Sequence, residues 1–177
     1  MKSLLLSDIF VRFGQGIGEI FVVLYALDVV GVSPATFGWL VGLAMATSIV
    51  IYIPVARVAD RSGREPWVLL TYIFFALFPL LVALSKSPWL LAIAFVSMGL
   101  REIGEPPRKA MIVDLAREDR RSIDVGTYYV VRGLAVFPAS LVGGALWRIA
   151  PSVTFFAAAA VAALGAAVFA ATTLRRL

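Results

Sequence analysis

Apolar residues fall into six runs long enough to span a membrane, about 7–30, 34–55, 67–84, 89–113, 125–147 and 152–173, with short polar gaps between them. About 20 apolar residues in a helix cross a ~30 Å hydrocarbon core. In that medium a helix satisfies its own backbone, whereas irregular chain does not. The pattern therefore predicts an all-α, polytopic membrane protein, a single six-helix domain over residues 1–177. Asp28, Gly31, Ser33 and Pro34 form one turn between runs, and Ser85, Lys86, Ser87 and Pro88 another.

The polar residues inside the runs are not scattered. Asp8, Arg12, Gln15 and Glu19 recur at intervals of four, three and four, which puts them on one stripe of the first helix. Counted from an edge near Asp8, Arg12 lies roughly 6 Å deep and Glu19 roughly 16 Å, close to the midplane. On the fourth helix Ser97, Arg101, Glu105 and Arg108 make a second stripe, with Glu102 pointing about 100° away. Depth counting puts Arg12 level with Glu105, and Arg132 of the fifth helix level with Glu102, so Arg132 and Glu102 are expected to pair. It leaves Glu19 with no base at its own depth. Each ionisable group at the bilayer centre costs about 2.5–3.5 kcal/mol on insertion scales, so Arg12, Glu19, Arg101, Glu102, Glu105 and Arg132 do not face lipid. Two readings follow. Either the six neutralise one another as interhelical salt bridges, or they border a wet cavity, where desolvation would favour the protonated form of Glu19.

Composition narrows this further. Of the 177 residues 61% are hydrophobic and 15% charged, far from the balance of a soluble domain. The net charge of +5 sits mainly in the gaps, where it sets topology and gives no cause to expect nucleic acid. Eleven Lys and Arg fall on one side (Lys2, Arg57, Arg61, Arg64, Arg108, Lys109, Arg117, Arg120, Arg121, Arg175 and Arg176), against Lys86 and Arg148 on the other. Both termini are thus expected in the cytoplasm, with the chain in the plasma membrane. There is no Cys and no His, so no disulfide, thiol chemistry or His-based metal site is expected, no metal or other cofactor is implied, and any proton carrier is a carboxylate. The first run is too long and too charged for a cleaved signal peptide. Enzyme motifs are missing too: the chain lacks the His of a rhomboid-like dyad, Gly-x-Gly-Asp and a paired-Asp motif, and with no Asn it lacks the Asn-Pro-Ala of water pores. The third run carries no ionisable residue and is expected to face lipid. The sixth presents Ala158, Ala162 and Ala166 at intervals of four, as a packing face. Tyr25, Trp39, Tyr128 and Tyr129 could serve a ring-shaped or cationic solute or act as interfacial anchors.

The charged stretch 56–66 carries the most specific signal. Gly63 can take the positive φ of a sharp reversal, Pro66 suits a first helical turn, and Asp60 can accept backbone N–H bonds. On charge alone it is a hairpin held on the cytoplasmic side by Arg57, Arg61 and Arg64. Its order resembles the signature loop of the major facilitator superfamily, with Asp60, Arg61, Gly63 and Arg64 matching, Ala56 in place of the usual Gly, and Glu65 where a further basic residue is common. The resemblance implies that Asp60, Arg61 and Arg64 act as a cytoplasmic latch. Pro107 to Leu115 is similar to the end of the family's fourth or tenth helix, which implies that Asp114 meets Arg61 or Arg64. Gly133, Pro138, Gly143 and Gly144 resemble the fifth helix of a family half. Ile17-Gly18-Glu19 and Ile103-Gly104-Glu105 occupy the first helix of each three-helix set, consistent with two inverted repeats. The resemblance implies half of the fold, most like the carboxy-terminal one. It further implies a secondary transporter that moves a small-molecule substrate by alternating access, driven by protons, and works with a second copy of itself or a complementary half. The rival readings are a non-transporting membrane scaffold and an isolated half of a larger transporter.

Overall fold

The computed structural model describes residues 1–173, and for Ala56, Asp60 and Thr173 only the backbone. Arg175 and Arg176 lie outside the described residues. All regular structure among the described residues is helical: α1 (Lys2–Gly18), α2 (Val22–Leu24), α3 (Pro34–Ser62), α4 (Glu65–Leu84), α5 (Pro88–Leu100), α6 (Glu105–Asp114), α7 (Arg121–Val136), α8 (Ala139–Trp147) and α9 (Pro151–Thr173). Five stretches are long and apolar enough to cross a membrane, namely Lys2–Val29, Pro34–Ala59, Glu65–Leu84, Glu118–Trp147 and Pro151–Thr172. The fourth apolar run is split into α5 and α6.

The reason for that split is local. Pro106 and Pro107 fall in the first turn of α6, where missing N–H groups cost nothing. Continued backwards as helix, their rings would strike the carbonyls one turn earlier. The helix therefore breaks at residues 101–104, just ahead of the prolines. The first and fifth runs are interrupted as well. α1 passes through a 3₁₀ turn, Glu19–Phe21, into α2 and then a π turn, Tyr25–Val29. α7 and α8 meet at Phe137 and Pro138. Each of the three charge-bearing runs is thus broken near its deep polar residues.

Besides the fifth helix, which begins at Arg121 and not 125, two boundaries differ from those read in the sequence. The second helix continues to Ser62 and not Val55, because charged residues beyond the apolar core do not disfavour helix. Only Gly63, at φ +88°, and Arg64 separate α3 from α4. The first helix starts at Lys2, five residues before the apolar run suggested.

The middle of the bundle is α9, which lies along both α1 and α4. A Cβ on Gly14 would come within 2.6 Å of the Ala158 carbonyl oxygen, and one on Gly165 within 2.8 Å of that of Ser7. These glycines and the alanines of α9 let two backbones touch, the close approach small residues permit in a bilayer. The expected lipid-facing position of the third helix is not found. Val68, Thr71, Tyr72, Phe75, Phe78 and Val82 make α4 the heart of the core, since a helix free of charge suits the centre as well as the rim. The open faces belong to α3 and to α7 with α8, whose apolar spans are 12% and 11% buried, against 44% for α4.

Candidate functional site

Asp8 is fully buried, and its carboxylate draws four elements together. It accepts hydrogen bonds from Arg108 Nη1 at 2.9 Å, Tyr128 OH at 2.9 Å, Arg132 Nη1 at 3.1 Å and Tyr72 OH at 3.3 Å. Arg108, only 2% exposed, also forks onto Glu105, with Nε 3.1 Å from Oε1 and Nη2 2.8 Å from Oε2. Such charge-assisted, bidentate geometry is what makes a desolvated ion pair tolerable.

From Glu105 the chain of contacts runs to Arg12, whose Nη2 donates to Glu105 Oε1. Arg12 Nη1 donates to Gln15 Oε1 at 2.9 Å, and Gln15 Nε2 to Glu19 Oε2 at 2.5 Å. Arg101 Nη2 then donates to Glu19 Oε1 at 2.7 Å, and Arg101 Nε lies 3.8 Å from Glu102 Oε1. Phe75 of α4 supports both central guanidiniums, with Arg12 4.6 Å and Arg101 5.1 Å from its ring centre, a face that favours cations. The first and fourth runs therefore pair crosswise, Arg12 with Glu105 and Glu19 with Arg101. Arg12, Arg101, Arg108 and Arg132 are matched by Asp8, Glu19, Glu102 and Glu105, so the network carries no net charge.

The acids differ in burial along this chain, while Arg101 between the two outermost of them stays buried. From the sealed Asp8–Arg108 end their exposure rises to 37% at the Glu19 side chain and 38% at Glu102. Two grooves reach the open end. One, of about 430 Å³ between α1 and the α7–α8 pair, is bordered by Arg12, Gln15, Glu19, Arg132 and Phe137. The other, of about 450 Å³ between α3 and α5, ends on Arg101 and Glu102.

The structure thus brings Arg12, Glu19, Arg101, Glu102, Glu105 and Arg132 into one network, with two corrections. Glu19 does have a base: Arg101, in the break between α5 and α6, reaches it through its long side chain, which depth counting along the backbone ignores. Arg132 pairs with Asp8 and not with Glu102, because α7 packs on α1. Sequence reasoning set Asp8 at the membrane edge and counted Arg108 among the cytoplasmic charges. Since α1 starts at Lys2, Asp8 stands six residues, or about 9 Å, inside the helix. The available signal was the i, i+4 spacing of Asp8 and Arg12. The roles of Tyr72 and Tyr128 as hydroxyl donors carried no signal in sequence.

In the signature loop Arg64 pairs with Asp114, while Arg61 is exposed. The Asp60 side chain lies outside the described residues. Trp67 Nε1 donates to Ser62 Oγ at 3.0 Å across Gly63. Among the described residues no group of three or more acids is placed to share a metal ion.

A bundle of broken helices with a neutral ion-pair network in its interior and grooves at its edge is the build of a membrane transporter domain. The profile of the Major Facilitator Superfamily matches residues 4–176, and the chain belongs to that family, one of transporters and not enzymes. It is 35% identical over 104 residues to an MFS-type transporter of Methanocaldococcus jannaschii, covering 58% of this chain and 26% of that protein. With the class B tetracycline resistance protein of Escherichia coli it shares 28% over 123 residues, 70% of this chain and 31% of the relative. With the inner membrane transport protein YajR of Escherichia coli it shares 29% over 119 residues, 67% and 26%. The chain matches a quarter to a third of the length of these relatives. The crystal structure of a bacterial homologue of the human lysosomal transporter Spinster, inward-facing and occupied, superposes with a TM-score of 0.77 at 23% identity, over 97% of this chain and 43% of that one. That likeness concerns the fold.

Proposed function

We propose that this chain is one six-helix half of a proton-coupled secondary transporter, moving a small solute by alternating access and working against a second copy or a complementary half. In this reading it lies in the plasma membrane with both termini cytoplasmic, and its two three-helix sets are inverted repeats. The observation that carries the reading is the contrast between the acids of the ion-pair chain, Glu19 opening onto a groove and held by a buried Arg101 while Asp8 and Arg108 are sealed. An ionised Glu19 holds Arg101. A proton on Glu19 removes that attraction and frees Arg101 to move, so proton binding and helix movement become one event. Glu19 and Arg101 flank the breaks after α1 and α5, and broken helices at a binding site are a recurring transporter feature. At the other end Arg64 and Asp114 form the latch, joining α4 to α6.

The need for a second body rests on the open side. In one groove Glu102 stands with Ile49, 73% exposed, and in the other Glu19 and Arg132 stand with Phe137, 77% exposed. Lipid can cover the apolar residues but not the half-exposed acids. A second six-helix body against α3 and α7–α8 covers both.

A specific observation favours one rival: the equal numbers of arginines and acids would also suit a packing role in a non-transporting scaffold. The test is uptake of a solute panel into proteoliposomes under an imposed proton gradient. Wild type is expected to concentrate at least one solute, and Glu19→Gln to abolish the accumulation while leaving the fold intact. Equal accumulation by both proteins would remove Glu19 from coupling, and the absence of any accumulation, with only monomers on cross-linking in native membranes, would favour the scaffold.

A further inference from the structure

Glu102 is the member of the network whose carboxylate accepts no hydrogen bond among the described residues; its nearest cation, Arg101 Nε, stands 3.8 Å away. Arg101 turns its Nη2 to Glu19 at 2.7 Å and sets its guanidinium over Phe75 and Phe78 at 5.1 Å and 5.7 Å, while its buried Nε makes no hydrogen bond among the described residues. Glu102 therefore holds an anionic charge that the protein only half answers, and it stands at the inner end of the α3–α5 groove. The wall of that groove is made by Met45, Ile49, Ile53 and Met98, with the Tyr52 ring on the same face. Its hydroxyl Ser48 is spent on the Met45 carbonyl at 2.8 Å. At the floor a Cβ on Gly99 would strike the Ala44 carbonyl, so α3 and α5 touch there and the groove closes below.

We infer that the α3–α5 groove is the binding site for an apolar monovalent organic cation, its charge set against Glu102 and its body along Met45, Ile49 and Met98. The assignment deepens the transport reading, on which it rests, by naming the substrate class of that same site. A groove of about 450 Å³ is within the size range of small-molecule sites, which are mostly apolar with a few placed polar groups. Methionine supplies unbranched, polarizable surface that adapts to irregular apolar shapes, and an aromatic ring such as Tyr52 attracts a cation at its face. An acyl chain would fill the apolar wall but leave Glu102 unanswered against hydrocarbon. An anion would meet that acid directly, since the charge of Arg101 is taken by Glu19.

The test needs no gradient. Tetraphenylphosphonium and tetraphenylborate share shape and size and differ in sign of charge, so they separate charge recognition from partitioning. Saturable binding of each is measured by equilibrium dialysis to the full chain in nanodiscs, above that of protein-free nanodiscs. The phosphonium is expected to bind saturably, to lose ten-fold or more in affinity with Glu102→Gln, to keep most of it with Glu102→Asp, and to be displaced by Ile49→Trp, which fills the groove without touching charge. Tetraphenylborate is expected to show no saturable binding sensitive to Glu102. Equal binding of the two probes, or phosphonium binding unchanged by Glu102→Gln in a folded protein, overturns the assignment. Saturable phosphonium binding without uptake of any solute in proteoliposomes would sink the transport reading and leave the site standing. Proton-driven uptake of other solutes without phosphonium binding would do the reverse.

Discussion

At one end of the ion-pair chain Asp8 is enclosed by Arg108, Arg132, Tyr72 and Tyr128, while at the other Glu102 faces a groove with a single distant arginine. The residue types are the same and the surroundings are not. Where each lone pair of a buried carboxylate has a donor, the contact ties together the helices that supply those donors and acts as a rivet. Where donors are few and a groove opens, the same carboxylate faces the groove. In the proposed reading the network divides into a part that holds helices together and a part that changes partners.

That contrast can be broken from its strong end first. Asp8→Ala should cost about 3–5 kcal/mol, the scale for removing one partner of a buried ion pair, because Arg108 and Arg132 lose their shared anion. Denaturant or thermal unfolding in detergent reads it, and a loss under 1 kcal/mol would show that the sealed end is not the rivet. Tyr128→Phe withdraws one donor from the same carboxylate and should cost about 1.5–3 kcal/mol, as for a hydrogen bond to a charged group. At the open end, Glu19→Gln should lower stability by no more than about 1 kcal/mol, the scale of partly exposed pairs, despite its expected effect on uptake. If Glu19→Gln proves as damaging to stability as Asp8→Ala, the division fails. Arg64→Ala, at the exposed pair with Asp114, should have the smallest effect on stability, under about 1 kcal/mol. Here the informative measurement is the accessibility of a cysteine placed at Ser62, which should rise if the latch opens.

Much of the architecture was legible because the bilayer imposes it: apolar length gave the six runs, and Gly63 and Pro66 gave the turn between α3 and α4. The stripes of the first and fourth runs put the right residues on one level, and Arg12 does meet Glu105. Two kinds of error remained. Depth counted along a straight helix failed for Glu19 because the fourth run is broken at residues 101–104 and Arg101 reaches it from there through its long side chain. Hydropathy failed for α4 because an uncharged helix reads alike whether it faces lipid or fills the core.

The sequence by itself determined that the chain is helical and apolar enough to span a membrane, where its tight turns fall, and the inventory of charges that have to avoid hydrocarbon, since each follows from local geometry and the cost of transfer into lipid. Only the tertiary structure decided which acid meets which arginine, that Asp8 is sealed while Glu19 and Glu102 open onto grooves, and that α4 lies inside while α3, α7 and α8 lie outside. Those outcomes depend on how closely glycine and alanine let α1, α4 and α9 approach, a property of facing surfaces from distant parts of the chain that no single run of residues contains.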